Sequence, residues 1–385
     1  MPEHLSHLVE SAAHSIRTGL KQATQGLIDR ESLVDLIALA AVAQEHLLII
    51  GPPGTAKSAA VRRVAHALGG EYFEYLLGRF TEPSELFGPV DLRKLRDGTV
   101  ETATEGMLPE ADIVFLDEVF LASTAVLNTL LGVLNERIFR RGHTLHQCPL
   151  KVCVAAANHL PEDEALAAFA DRFLLHTFIE PVSENLLEDL LRGGWQVRHK
   201  AVSNVTSLEH LDVLSKAAAN ADMEQVYQPL THCVSLLRKE GIMLSDRRLV
   251  KSLSLISAAA ALRGSTKPDA RDLWALVYVI PTQEGQEQSR EVLHDILQET
   301  ENTTLNAAAE LASLSLATRA QHIIDRAQTL LPEANAPLPE DALTKLEAIG
   351  REIDSSFSPS QMPPELKALR EKLIGLLEHS ANGSN

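Results

Sequence analysis

The segment Gly51-Pro52-Pro53-Gly54-Thr55-Ala56-Lys57-Ser58 constrains the fold of this chain more than any other. It follows an apolar run, His46 to Ile50, and leads into 57–68, which reads as a helix. A buried strand, a Gly/Pro loop and a helix opening at Lys-Ser form a phosphate-binding layout. In it, the backbone N–H groups of the loop and helix N-terminus point at anionic oxygens. Residues Gly51 to Ala59 then wrap the phosphates of ATP, Lys57 supplies charge to the β and γ phosphates, and Ser58 offers its hydroxyl to Mg²⁺. Ala56 stands where the general motif has glycine, which lowers the match when the loop is read alone.

Such a strand needs partners. IVFL (Ile113 to Leu116) and KVCVAAA (Lys151 to Ala157) read as buried strands, and 71–77 as a further one. They alternate with helices over 31–43, 57–68 and Leu121 to Arg140, a pattern that predicts a parallel α/β sheet up to about residue 180. Asp29 is placed to cap the 31–43 helix, and 1–24 reads as a helix with Leu5, Leu8, Ala12 and Ile16 on one face. The stretch 81–108 is rich in turn formers and reads as a loop or hairpin insertion turning at Asp97-Gly98. From 184 to 280 the periodicity is helical, with candidates Ser183–Leu191, Leu208–Ala219, Gln228–Lys239, Arg247–Leu262 and Asp269–Tyr278. Ile280 to Gln286 marks a boundary, followed by helices at Glu291–Gln298, Ala307–Leu331, Glu340–Asp354 and Glu365–His379. Aromatic residues are only 4% of the chain, so Leu, Ala, Val and Ile must build the core, which favours a helix-rich protein.

Asp117 and Glu118 end the 113–116 strand. A lone Asp-Glu after a strand is more often a helix cap. With parallel strands both strand ends reach the same sheet edge, where ligands bind. There Asp117 can sit behind Mg²⁺ and Glu118 can polarise an attacking water. Asn158, after the next strand, can orient that water and touch the γ-phosphate, or serve as a turn residue before Pro161. Arg172 follows in FADRF, where a surface ion pair is the plain reading. Arg247 and Arg248 open a helix; Arg247 is within reach of nucleotide, and Arg248 reads as surface.

Charge and composition exclude other classes. Asp and Glu number 52 against 35 Lys and Arg, a formal charge of −17, so the surface as a whole repels nucleic acid and anionic lipid. Val34 to Ile50 is broken by Asp35, Gln44, Glu45 and His46, too short for a membrane span. MPEHLSHLVESAAH has no signal-peptide pattern, and Cys148, Cys153 and Cys233 form no CxxC pair, so a cytoplasmic location is expected. His4, His7 and His14 read as a surface face rather than a metal site. Cys148 and Cys153 read as small core residues. Arg93, Lys94 and Arg96 read as a solvated loop, with contact to an acidic client as the alternative.

Taken together these pieces resemble the AAA+ ATPases, and within them the MoxR family, over about residues 25–280. GPPGTAKS is the form the phosphate loop takes in that family, so Ala56 becomes support. GLIDRESLVDLI, FTEPSELFGPVD, EGMLPEADIVFLDEVF, LNTLLGVLNERIFRRG, AAANHLPEDEALAAFADRF and LSDRRLVKSLSLISAAAALRG resemble its other blocks, in wording similar to the RavA branch. The resemblance implies an AAA+ core over 1–183 with a parallel five-stranded sheet flanked by helices. It further implies an all-α lid over 184–282, followed by a helical extension over 283–385. It implies Walker A roles for Lys57 and Ser58, Walker B roles for Asp117 and Glu118, sensor 1 for Asn158, a trans-acting arginine finger in Arg172 and a sensor 2 arginine in Arg247. The segment Phe87 to Leu108 matches the family's helix-2 insertion, which faces the pore. The family is typically a hexameric ring that hydrolyses ATP and remodels protein clients with a von Willebrand factor A (vWA) partner. A nucleic-acid motor of the same superfamily is the alternative function. The apolar stripe Leu366, Leu369, Leu373, Ile374 and Leu377 is expected to pack on the lid, with partner docking as the alternative.

Overall fold

The computed structural model describes residues 2–197, 206–298, 302–313 and 362–382, with positions 320, 323, 324, 327, 346, 349, 350 and 353. Five parallel strands form one sheet in the order β2-β3-β6-β1-β7: β1 (Leu47–Ile50), β2 (Tyr72–Leu76), β3 (Ile113–Asp117), β6 (Val152–Ala157) and β7 (Leu175–Phe178). A separate antiparallel hairpin pairs β4 (Ile138–Arg141) with β5 (Thr144–Gln147).

The strand period of two separates the core into two faces. Leu47, Ile49, Ile113, Phe115, Val154 and Ala156 pack on α1 (Pro2–Thr24), α2 (Glu31–Ala43) and α3 (Lys57–Leu68). Leu48, Ile50, Val114, Leu116, Cys153 and Ala155 face the opposite way, toward α6 (Thr124–Glu136) and α7 (Glu164–Ala170). The first apolar core does not stop at the sheet. It continues through α9 (Leu208–Ala219), α10 (Glu224–Lys239), α11 (Asp246–Arg263) and the 3-10 helix Ala270–Val279.

Several elements differ from the sequence reading. The 121–140 helix ends at Glu136, because Arg137 takes a left-handed conformation (φ 57) and the chain turns into the β4–β5 hairpin. The 81–108 insertion does not turn on Asp97-Gly98 alone. Its tip is a short helix, α5 (Leu92–Arg96), following α4 (Pro83–Phe87), because the Asp91 carboxylate accepts from the Arg93 and Lys94 amides. Asp29 does not cap α2: it sits at φ 57, and Arg30 holds the cap position. Within the 280–286 segment the next helix already begins, since Thr282 caps α12 (Gln283–Val292). The three cysteines are buried and free, and burial pushes their thiols up to about 11, 12 and 11 for Cys148, Cys153 and Cys233.

After α12 and α13 (His294–Leu297) the chain returns to the sheet. Helix α14 (Asn306–Ser313) packs against α2, and the Asp35 carboxylate accepts from the Ala308 amide at 3.1 Å. The Tyr278 hydroxyl donates to the Ala308 carbonyl at 2.7 Å. The predicted 307–331 helix is described as far as Ser313, and most of 340–354 lies outside the described residues. In α15 (Pro364–Asn382), Leu366, Leu369 and Leu373 do not pack on the lid. They join Ala320, Ile323, Ile324, Ala327, Leu346, Ile349 and Ile353 in a third core of their own.

Asp35 yields a pH prediction. Burial, opposed by the Ala308 and Ala307 amides, pushes its carboxyl up to about 7. The unfolded chain keeps a carboxyl value near ~3.9. Between those values the folded state binds the extra proton, so stability falls as pH rises from about 4 to about 7 and levels off above. Asp35→Asn removes that loss. Its Tm at pH 8 is expected to exceed wild type by about 2 °C or more, with the gap closing toward pH 5. A lower Tm at pH 8 would show that carboxylate capping of α14 outweighs the cost of burial.

Candidate active site

Parallel pairing lines up the carboxyl ends of three strands. Ile50 pairs with Ala157, and Leu116 with Ala155, so β1, β6 and β3 all open at one edge. The Gly51 amide donates to the Ala157 carbonyl at 3.1 Å, which carries the ladder one residue into the loop. Only glycine fits there, since a Cβ on Gly51 would lie 2.4 Å from the Ile179 carbonyl oxygen. Pro52, Pro53 and Gly54 form an exposed crest, with Gly54 at φ 81. Thr55 is buried, its hydroxyl donating to the Pro52 carbonyl at 2.9 Å. Ala56 precedes α3 at φ 62, a conformation that disfavours any Cβ. Ser58 and Ala59 are half-buried in the first turn of α3.

The Lys57 ammonium is buried and donates to the Gly51 and Pro52 carbonyls at 2.7 and 2.9 Å. Burial lowers its pKa, while the neighbouring Asp117 and Glu118 carboxylates act to raise it. Glu118 is left-handed (φ 54), and the Asp117 carboxylate accepts from its amide at 3.0 Å. The Asn158 side-chain N–H donates to the Glu118 carboxylate at 2.8 Å. The Asn158 Oδ1 is buried with no hydrogen-bond partner among the described residues. Left-handed non-glycine backbone and an orphaned buried acceptor both mark a site arranged for a ligand. The structure thus brings together Lys57, Asp117, Glu118 and Asn158 beside the loop. Hydroxyl and carboxylate oxygens from Ser58 and Asp117 suit a hard cation such as Mg²⁺.

Two predicted residues stand apart. Arg172 donates to the Ala168 carbonyl at 3.2 Å and forms no ion pair among the described residues. Arg247 is exposed and donates to Asn135 at the end of α6, at 3.0 Å. Neither touches the loop, Glu118 or Asn158 in the described contacts.

Two arginines differ from the sequence reading, one read as surface and one given no role. Arg248 is buried, not a surface residue. It donates to the Asp171 carboxylate at 2.7 Å, to the Leu174 and Phe173 carbonyls at 3.0 and 3.1 Å, and to the Val279 carbonyl at 2.5 Å. Together with burial, Arg248 holds the His176 imidazole down to about 3. Arg30 is also buried, and donates to the Thr55 carbonyl within the loop and to the Glu180 carbonyl beyond β7, both at 2.8 Å. It fastens the loop to the last strand of the sheet. A charged residue beside an apolar helix start is the only trace of Arg30 in the sequence, and it does not separate a clamp from a solvated side chain.

Residues 14–216 match the family model for the MoxR domain of MoxR-vWA-beta-propeller ternary systems, and 225–296 match an AAA lid domain. Uncharacterized protein MJ0812 of Methanocaldococcus jannaschii is 35% identical over 66% of this chain and 67% of its own length. The chaperone MoxR1 of Mycobacterium tuberculosis is 27% identical over 84% of each chain. The crystal structure of a proposed ATPase from Cytophaga hutchinsonii superposes with a TM-score of 0.60 at 15% identity, over 78% of this chain and 98% of that one.

Replacing Arg30 by methionine leaves the Thr55 and Glu180 carbonyls without their donor, a loss of ~1–3 kcal/mol for each buried group. Nucleotide affinity of Arg30→Met is expected to fall by about tenfold or more, read by titration with a fluorescent nucleotide. Unchanged affinity would remove Arg30 from any role in shaping the loop. At Ala56, glycine relieves the left-handed strain, so Ala56→Gly should raise the urea midpoint by the equivalent of about 1 kcal/mol.

Proposed function

Because the chain belongs to the MoxR family of AAA+ ATPases, we propose that it is a ring-forming chaperone that couples Mg-dependent ATP hydrolysis to remodelling of a protein client. The observation that carries this reading is the division of the charged residues. Lys57, Asp117, Glu118 and Asn158 converge on one sheet edge, while Arg172 stays outside its own site with no carboxylate partner among the described residues. An incomplete site of that kind suits completion by a neighbouring subunit. The 1–183, 184–282 and 283–385 segments then act as core, lid and helical extension, and a hexamer is the expected ring. The family model describes MoxR domains that work with vWA and beta-propeller components, which supports a vWA partner for this chain. The expected setting is cytoplasmic. No described helix is long and apolar enough to cross a membrane.

The arrangement supports the following chemistry. Lys57 rests on two loop carbonyls that phosphate oxygens can replace, so binding exchanges weak acceptors for charged ones. Arg247 would meet the nucleotide from the lid. Mg²⁺, held by Ser58, Asp117 and phosphate oxygens, would neutralise charge developing on the phosphates. Glu118, aimed by its own backbone and steadied by the Asn158 amide, orients and polarises the attacking water. Arg172 supplies positive charge to the nucleotide of the adjacent subunit, the role of an arginine finger.

Glu118→Gln is expected to bind ATP with turnover reduced ~10²–10⁴-fold. Arg172→Ala should keep nucleotide binding and lose about 10³-fold in turnover. Phosphate release and fluorescent-nucleotide titration read the two effects separately. A Glu118→Gln protein hydrolysing at the wild-type rate would take Glu118 out of the reaction. Affinity capture on Glu118→Gln with ATP tests the chaperone reading. A vWA protein and a dominant client support it, whereas nucleic acid without a protein partner would favour a motor.

A further inference from the structure

We infer that Arg248 is a positioning residue for Arg172, through which lid helix α11 sets where the finger lies. The inference rests on the reading of Arg172 as a finger for the neighbouring subunit. Residues 171, 173 and 174 flank Arg172 on both sides, and one guanidinium holds all three. Its Nε donates to Asp171 Oδ1 at 2.7 Å, one terminal nitrogen to the Phe173 carbonyl at 3.1 Å, and the other to the Leu174 carbonyl at 3.0 Å. That second nitrogen also reaches the Val279 carbonyl, at the end of the 3-10 helix Ala270–Val279. The grip is rigid at its source. Ser245 caps α11 by accepting from the Arg248 amide at 3.3 Å, and the Arg248 side chain is only 5% exposed.

The finger itself has no comparable hold. Its single recorded donation goes to Ala168 at 3.2 Å, and its Nε is buried with no hydrogen-bond partner among the described residues. The backbone of Arg172 is therefore fixed while its guanidinium remains available to an anion. The fork geometry is specific to arginine. Lysine offers three donors from a single point and cannot reach a carboxylate and carbonyls on two elements at once. Because Arg248 belongs to α11, a shift of the lid moves the finger segment with it. Lid position and finger position are one variable in this fold.

A double-mutant cycle on the full-length assembly tests this. Arg248→Lys is expected to lower kcat by ~10–100-fold, as a finger displaced by about 1 Å would. The fluorescent-nucleotide Kd should stay within about twofold of wild type. In an Arg172→Ala background the same Arg248→Lys change should lower the residual turnover no further, because a positioning residue has nothing left to position. An additive loss in that background, or an unchanged kcat in the single variant, overturns the inference. Should Arg248→Lys fail to fold by thermal melt, Asp171→Asn keeps the carbonyl contacts, weakens the grip, and takes its place in the same cycle. Wild-type turnover in Arg172→Ala alone would instead defeat the finger reading. Finger loss confirmed, with Arg248→Lys additive, defeats only the present one.

Discussion

The pairing of β1 between β6 and β7 is the constraint on which the rest depends. Leu47–Ile50 is buried along its whole length and hydrogen-bonded on both edges, so it cannot slip or fray. The Gly51–Ser58 loop leaves directly from that strand. Its first residue still pairs with Ala157, and Ile179 closes over it so tightly that a side chain has no room. A loop launched from the centre of a sheet inherits the sheet's rigidity. Asp117 and Asn158 are then delivered to the same edge by parallel register alone.

The site is built around buried cations held chiefly by carbonyl oxygens. Lys57 rests on two of them, Arg30 bridges the loop and the end of β7 through two more, and Arg248 binds three and a carboxylate. Carbonyl dipoles satisfy a buried cation without cancelling its charge. A carboxylate partner on Lys57 would offset that charge, and any incoming anion would displace it at greater cost. The carbonyl arrangement keeps Lys57 desolvated and ready. Arg172 is the contrasting case, since the Ala168 carbonyl is its only acceptor among the described residues.

Legibility in the sequence followed the range of the forces involved. Apolar runs reported β1, β3 and β6 because full burial writes itself as uninterrupted Val, Ile, Leu and Ala. The shared edge of the Gly51–Ser58 loop, the Asp117-Glu118 pair and Asn158 was legible because each directly follows an apolar run that becomes a parallel strand. The β4–β5 hairpin was hidden, since its cause is a left-handed Arg137 and no local propensity announces that. No apolar run marks strand β7, because LHTF carries two polar residues, both of which the fold buries: His176 and Thr177. Arg248 was misread for the same reason. A charged residue in the first turn of a helix looks solvated until tertiary structure sets carbonyls around it.

The continuity of the apolar core bears on how such a molecule can move. The cluster beneath α1 and α2 runs without a break through α9, α10, α11 and the 3-10 helix to α14. Helix α14 is then clasped from both sides, by Asp35 of α2 and by Tyr278 of the helical region. A lid joined to the sheet by a continuous core cannot swing freely without exposing that core, and close-packed interiors shift by small discrete steps. Small displacements matter only where something is read at sub-ångström precision. In this fold the lid reaches such a place through Arg248, which grips the segment carrying Arg172. A small step of α11 is therefore carried through Arg248 to the 171–174 segment at the end of the sheet.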